Sequence, residues 1–182
     1  MGGDLYDGFP IKLDYLAAPL FELKVPKGVY FITGNHEEFE NNKPYLDAIG
    51  RAGINILNNR AVEIDGVKII GVDYRDTSDA GNFSNVLSGL AGGNKSMPMI
   101  LLKHTPFDLD VSERAGIDFQ ISGHTHQAQI FPLNYITRSV YKGYDYGFKK
   151  FGSMQVYVSS GTGTWGPPLR IGTVSEIVVI NF

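Results

Sequence analysis

Three short strand-like runs in this chain each lead into a histidine motif. Val29-Tyr30-Phe31-Ile32 runs into Gly34-Asn35-His36-Glu37, Met99-Ile100-Leu101-Leu102 into Lys103-His104-Thr105-Pro106, and residues 118–122 into Gly123-His124-Thr125-His126. The first two are continuously apolar, which suits strands buried on both faces of a parallel sheet, and the third reads as a strand that alternates. In an open α/β sheet the loops beyond the carboxyl ends of parallel strands converge on one place. All four histidines of the chain lie in these turns, so the pattern predicts an imidazole-rich centre assembled by the sheet itself. With no cysteine present, a metal held there has nitrogen and oxygen ligands. The amide oxygen of Asn35 beside imidazoles suits a hard or borderline divalent ion that keeps a position open for substrate. Asp4, close to the start, is a further ligand candidate.

The remaining pattern alternates helix-like and strand-like pieces and then turns strand-rich. Apolar residues at helical spacing (Leu13, Leu16, Ala17, Leu20) predict a helix over 11–23, and 37–52 predicts a second, with acidic residues in its first turn and Gly53 just past its end. Strands are expected at 54–57, 61–64 and 67–72, the last two joined by the hairpin pair Asp65-Gly66. A short helix at 108–115 and strands at 155–159 and 176–180 follow. The Gly/Asn/Ser-rich stretch 78–96 reads as a surface insertion. Residues 141–151, where aromatics alternate with glycines and lysines, read as an edge hairpin. Asp73-Tyr74-Arg75-Asp76 reads as a solvated loop with a local Asp/Arg pair, and Trp165 as a packing residue.

At 182 residues and 43% hydrophobic composition, the chain is expected to form one domain over 1–182. A net charge of −3 with scattered Lys and Arg argues against a nucleic-acid-binding surface. No apolar run is long enough to span a bilayer and no signal-like segment opens the chain, so the expected location is cytoplasmic or peripheral to a membrane.

The motifs Gly3-Asp4-Leu5-Tyr6-Asp7-Gly8, Gly34-Asn35-His36-Glu37, His104-Thr105-Pro106 and Gly123-His124-Thr125-His126, in that order, resemble the second to fifth motifs of the calcineurin-like metallophosphoesterases. The run from Ser160 to Arg170 is similar to a bacterial subgroup that contains membrane-associated phosphodiesterases. The resemblance implies an αββα sandwich of two mixed sheets and a metal-dependent hydrolysis of phosphoester, chiefly phosphodiester, bonds by an activated water. It implies two divalent ions, Mn, Fe or Zn, with manganese typical of such centres. Asp4 would bridge them, Asn35, His104 and His124 would hold the second, and His126 would belong to the first. His36 would be the catalytic acid. Arg170 is the candidate for binding substrate phosphate, because a guanidinium matches phosphate oxygens bidentately.

The departure from the family lies at the front, where its first motif, Asp-x-His on the opening strand, has no counterpart. The expectation is therefore a sandwich without its first strand and helix. The second metal would keep four ligands, and the first only Asp4 and His126. The expected substrate is a small phosphoester or phospholipid-like molecule, with peripheral membrane contact through the 141–151 segment. An exposed sheet edge invites self-association. The competing class is a non-catalytic module of the same fold, as in the retromer scaffold subunit, or an inactive fragment. The presence of every histidine and of Asn35 speaks for the enzyme.

Overall fold

The structure is a computed structural model that describes residues 1–6, 13–38, 41–92 and 96–181, together with the backbone but not the side chains of 14 and 16. The expected roles of Asp7, Gly8, Ile11 and the Leu16 side chain lie outside the described residues.

The apolar runs do become strands, and the strands form two sheets. Tyr30–Phe31 (β1) pairs in parallel with Asn55–Ile56 (β2). A larger sheet has the order β3-β4-β5-β6-β8-β7, made of Arg60–Ile64 (β3), Val67–Gly71 (β4), Met99–Leu102 (β5), Phe119–Ser122 (β6), Gly147–Phe151 (β7) and Met154–Val158 (β8). Its interior pairs are parallel and its two outer pairs antiparallel. Asp65 and Gly66 turn between β3 and β4 with φ of 51° and 79°. Positive φ at both positions is what a two-residue turn needs to match strand twist, and Gly66 adopts it without a Cβ clash.

Alternation along the strands sorts side chains into layers. Ile70, Leu101, Val156 and Val158 face one side of the large sheet, where they pack with Phe83, Leu87, Leu109 and Val111 from the helices Ala80–Ala91 (α3) and Leu109–Arg114 (α4). Ile69, Leu102 and Ile121 face the other side and meet Ile32 and Leu57 of the small sheet. Beyond the small sheet, Phe31 and Ile54 pack with Tyr45 and Ile49 of the helix Lys43–Arg51 (α2), with Leu13 of Leu13–Ala17 (α1) alongside. The result is the αββα sandwich expected from the family pattern, with a mixed large sheet and a small sheet of two parallel strands among the described residues.

Several expectations give way. The helix predicted over 37–52 is divided: His36–Glu38 forms a tight helical turn and α2 starts only at Lys43. The 11–23 helix changes to a tighter coil at Ala18–Glu22, where Pro19 lacks the N–H that would continue an α-helix. The segment 176–180 pairs in no ladder among the described residues, and Ile177 and Val179 are exposed. Helix Asn134–Val140 (α5) forms where none was expected.

The largest correction concerns 78–96, which is not a surface insertion. Asp79 caps α3 by accepting from Asn82 N–H at 2.8 Å. Phe83, Leu87 and Ala91, spaced one helical turn apart, are buried against the large sheet. The glycines, serines and asparagines between them occupy the solvent side and hide the periodicity. Leu87→Ala is therefore expected to destabilise the protein by about 2–5 kcal/mol, whereas a surface loop would tolerate it within about 0.5 kcal/mol. Chemical denaturation of the two proteins distinguishes these outcomes.

Candidate metal centre

The carboxyl ends of β1, β5 and β6 lie at one edge, and each hands its chain to a histidine loop. Past β5 and β6 the ladder continues, with Lys103 N–H donating to Ile121 O at 3.1 Å and Gly123 N–H to His104 O at 2.9 Å. This keeps the His104 and His124 loops side by side. Met1 lies along β1, donating from its amino group to Tyr30 O and accepting from Ile32 N–H. Asp4 is thereby brought to the same edge.

At that edge Asp4 Oδ2 lies 3.0 Å from His104 Nε2. Asn35 Oδ1 lies 3.1 Å from the same nitrogen and 2.7 Å from His124 Nδ1, and the two ring nitrogens are 3.1 Å apart. His104 Nδ1 lies 2.6 Å from Gly2 O. A carbonyl only accepts, so Nδ1 carries the proton and Nε2 turns its lone pair inward, the usual way a backbone carbonyl orients a ligating imidazole. The ligand atoms of Asp4, His104 and His124 fall within 4.8 Å of one another. Four lone-pair groups facing one another repel unless something positive lies among them. A proton on one ring nitrogen relieves this in part, and a divalent cation satisfies all of them, so the donor set fits a metal.

Such close approach requires glycine. A Cβ on Gly34 would run into the Asp4 carboxylate and stand 2.7 Å from both Asp4 N and His104 Cε1. Asp4 itself has φ of 54°. It is held by its neighbours: His36 N–H donates to Asp4 Oδ1 at 2.9 Å, and the fully buried Glu37 carboxylate accepts from Asp4 N–H at 2.9 Å.

Comparison with known proteins agrees with this arrangement. Residues 1–128 match the calcineurin-like phosphoesterase family. The chain belongs to the calcineurin-like phosphoesterases. It is 35% identical over 184 residues to an uncharacterized metallophosphoesterase of Helicobacter pylori, covering all of this chain and 50% of that protein. A counterpart in Aquifex aeolicus is also 35% identical, with 98% of this chain and 70% of that protein covered. The zebrafish (Danio rerio) "Transmembrane protein with metallophosphoesterase domain" is 31% identical over 98% of this chain and 44% of its own length. The chain thus spans about half the length of the Helicobacter relative. Among solved structures, Thermus thermophilus sulfate thiohydrolase SoxB in complex with glycerol aligns with a TM-score of 0.55 at 14% identity, over 86% of this chain and 32% of SoxB, a likeness of fold. Among the described residues, no helix of this chain is long and apolar enough to cross a membrane.

The expected site residues fall into three groups in this calcineurin-like chain. Asp4, Asn35, His104 and His124 come together as described. His36 and His126 line the same cavity outside that cluster. Burial holds His126 below the ordinary histidine range, and its buried Nδ1 has no hydrogen-bond partner among the described residues. Arg170 stands apart: its guanidinium donates to the backbone carbonyls of His126, Ser160 and Gly163 at 3.0, 2.6 and 2.6 Å, while its buried Nε has no hydrogen-bond partner among the described residues. Held this way it clamps the His126 loop, and it does not line the cavity.

Other expectations change with the packing. Trp165 is not a packing residue: it is exposed and lines the cavity. The pairing of Arg75 is with Glu38 rather than an aspartate, while Asp73 accepts from Asn58 Nδ2 at 3.0 Å and Arg75 N–H at 3.0 Å. Glu37 was present in the motif without a role, and the structure supplies one. Lys103 was likewise unassigned. It is fully buried behind His104, donates to Thr105 O, Thr105 Oγ1 and Phe107 O, and lies 5.0 Å over the Phe83 ring. Burial pushes its pKa down to about 8.

The loop after β6 is strained. His124, His126, Gln127, Ala128 and Gln129 all have positive φ, a costly conformation for residues with a Cβ. Thr125 steadies it by donating to Asp145 O at 2.6 Å. Burial and the adjacent His104 push the His124 pKa down to about 4. In the metal-free protein the unfolded chain takes up a proton on this residue near the ordinary pKa of 6.5 while the folded one does not. Folding stability is therefore expected to fall as pH drops from 6.5 towards 4, with His126 adding in the same direction. Urea denaturation of metal-free wild type and His124→Asn across this window checks it: the variant should show the shallower pH slope.

Proposed function

We propose that this chain carries out the metal-dependent hydrolysis of a phosphodiester. The observation that carries the reading is the convergence of Asp4, Asn35, His104 and His124 from separate loops, with His36 facing the same cavity. Two imidazoles, an amide and a carboxylate favour Mn, Fe or Zn over Mg. Asp4, Asn35, His104 and His124 would hold one ion, and Asp4 and His126 are what this chain offers to a second. When bound, such an ion lowers the pKa of a water towards neutrality and draws charge from the phosphoryl oxygens.

The chain's own residues do the rest. Gly2 O orients His104, while Glu37 and the His36 N–H fix the Asp4 carboxylate. His36 donates a proton to the departing alkoxide, a contribution of about 10²–10⁴ in rate. The preference for a diester follows from charge. Among the described residues lining the cavity there is no lysine or arginine, and Arg170 is turned to backbone carbonyls. A dianionic monoester finds no cationic partner there, whereas a singly charged diester needs none beyond the metal.

Two measurements test this reading. Elemental analysis of the purified protein should find about one transition-metal ion per chain, favouring Mn, Fe or Zn, and a His104→Ala, His124→Ala double variant should lose it. Background metal in the wild type would end the reading. His36→Ala should retain its metal but lower turnover by about 10²–10⁴ for a diester with an alkoxide leaving group, and much less for a nitrophenolate. Loss of metal on removing His36 would make it a ligand instead, and equal losses for the two leaving groups would deny it the role of acid.

A further inference from the structure

The cavity that holds the metal ligands is lined by apolar as well as polar residues. Its volume is about 470 Å³, within the range of roughly 300–1,000 Å³ usual for small-molecule sites. Asp4, Asn35, His36, His124 and His126 line it together with the apolar Leu133, Ile136 and Trp165, and Tyr141, also in the lining, stands edge-on to the His124 ring at 6.3 Å between centroids. The apolar lining belongs largely to α5 and the residues flanking it. This helix buries none of its residues, and Ile136 is 62% and Trp165 60% exposed. A seven-residue helix that contributes nothing to the core is not there for packing.

The wall is nevertheless held in place. The buried Gln129 side chain accepts from Trp165 N–H and donates to Trp165 O at 2.8 Å. Ile171 N–H donates to Gln129 O, and Phe131 N–H to Ile171 O. The loop that carries His126 and the loop that carries Trp165 are thus one braced unit.

We propose that the α5 wall is a subsite for the apolar arm of the substrate, so that the phosphodiester is an amphiphile with its phosphate at the ligand cluster and an alkyl or acyl chain against Leu133, Ile136 and Trp165. The proposal rests on the phosphoester reading above and adds the class of alcohol. Apolar surface and metal ligands share one cavity, so a single molecule with both characters fills it without leaving either wet.

Trp165 is the chain's only tryptophan, so its fluorescence reports on this wall directly. Zinc-supplemented protein is titrated with methyl-, butyl-, hexyl- and octylphosphonate below their micelle concentrations, and with octanol. Binding should tighten by roughly fourfold per methylene buried, with a blue shift of the emission. Leu133→Ser combined with Ile136→Ser, both at exposed positions, should flatten that chain-length dependence. The wild-type series stands without the variant should it fail to fold. Equal affinity for methyl- and octylphosphonate overturns the subsite and leaves the metal reading standing. Octanol binding as tightly as octylphosphonate overturns the phosphoester reading, and the proposal with it. Two further results overturn the subsite: a response only to phosphatidylglycerol vesicles, which makes the face a membrane-docking surface, and a concentration-dependent emission without ligand, which makes it a contact between copies of the chain.

Discussion

The Glu37 carboxylate is the point on which the site depends. Fully buried, it accepts from four backbone N–H groups, those of Gly34, Asp4, Leu5 and Tyr6, at 2.7, 2.9, 2.7 and 3.2 Å. These amides belong to two loops that share no strand ladder there. Left unpaired in the interior, each would cost about 1–3 kcal/mol. Burial and the neighbouring Asp4 carboxylate raise the pKa of Glu37, while the amides favour its anion. The side chain thus joins the segment bearing Asp4 to the loop bearing Asn35 and His36, as a short strand would, using one residue.

Around that joint the protein concentrates features that are unfavourable singly. Asp4 and the run from His126 to Gln129 sit at positive φ, lone pairs face one another across about 3 Å, and a lysine is buried beneath. Each has a local counterweight. Lys103 is hydrogen-bonded to Thr105 and Phe107, and the His126 loop is gripped by Arg170 and Gln129. For Asp4, burial raises the pKa, but in the metal-free protein a second proton on His104, at Nε2, together with the His36 amide carries it below the ordinary value. The ionised carboxylate is thus favoured before any cation arrives. Strain gathered at one edge, with the layers behind it conventionally packed, is how a rigid scaffold supports a preorganised site.

What could be read in the sequence was what the backbone decides locally. The strand 99–102 announces itself as an apolar run, 119–122 by alternation of apolar and polar residues, the turn at Asp65-Gly66 by its residue pair, and the ligand cluster by histidines at strand ends. Helix α3 was obscured because its solvent face is built of poor helix formers, and only Phe83, Leu87 and Ala91 reveal it, through burial that composition does not show. The break before α2 arises because the His36–Glu38 turn belongs to the site: Glu37 points inward to receive amides instead of continuing a helix. Arg170 has the right chemistry for phosphate, but its bonds to three carbonyls 7 to 44 residues away could not be read from the sequence. Such tertiary capture leaves no mark in local spacing. Nor does the exposure of α5, because an apolar helix usually signals a core.

The ligand set also bears on the order of events in folding. Asn35 meets His104 across 69 residues and His124 across 89, and Asp4 reaches the His36 amide across 32. The four clustered ligands are at least 20 residues apart in the chain, so the whole set exists only once their loops have been brought together. A cation would then bind only after both sheets have docked, and would act by mass action on the finished state rather than as a nucleus. Metal would leave the rate of folding almost untouched and lengthen the lifetime of the folded chain.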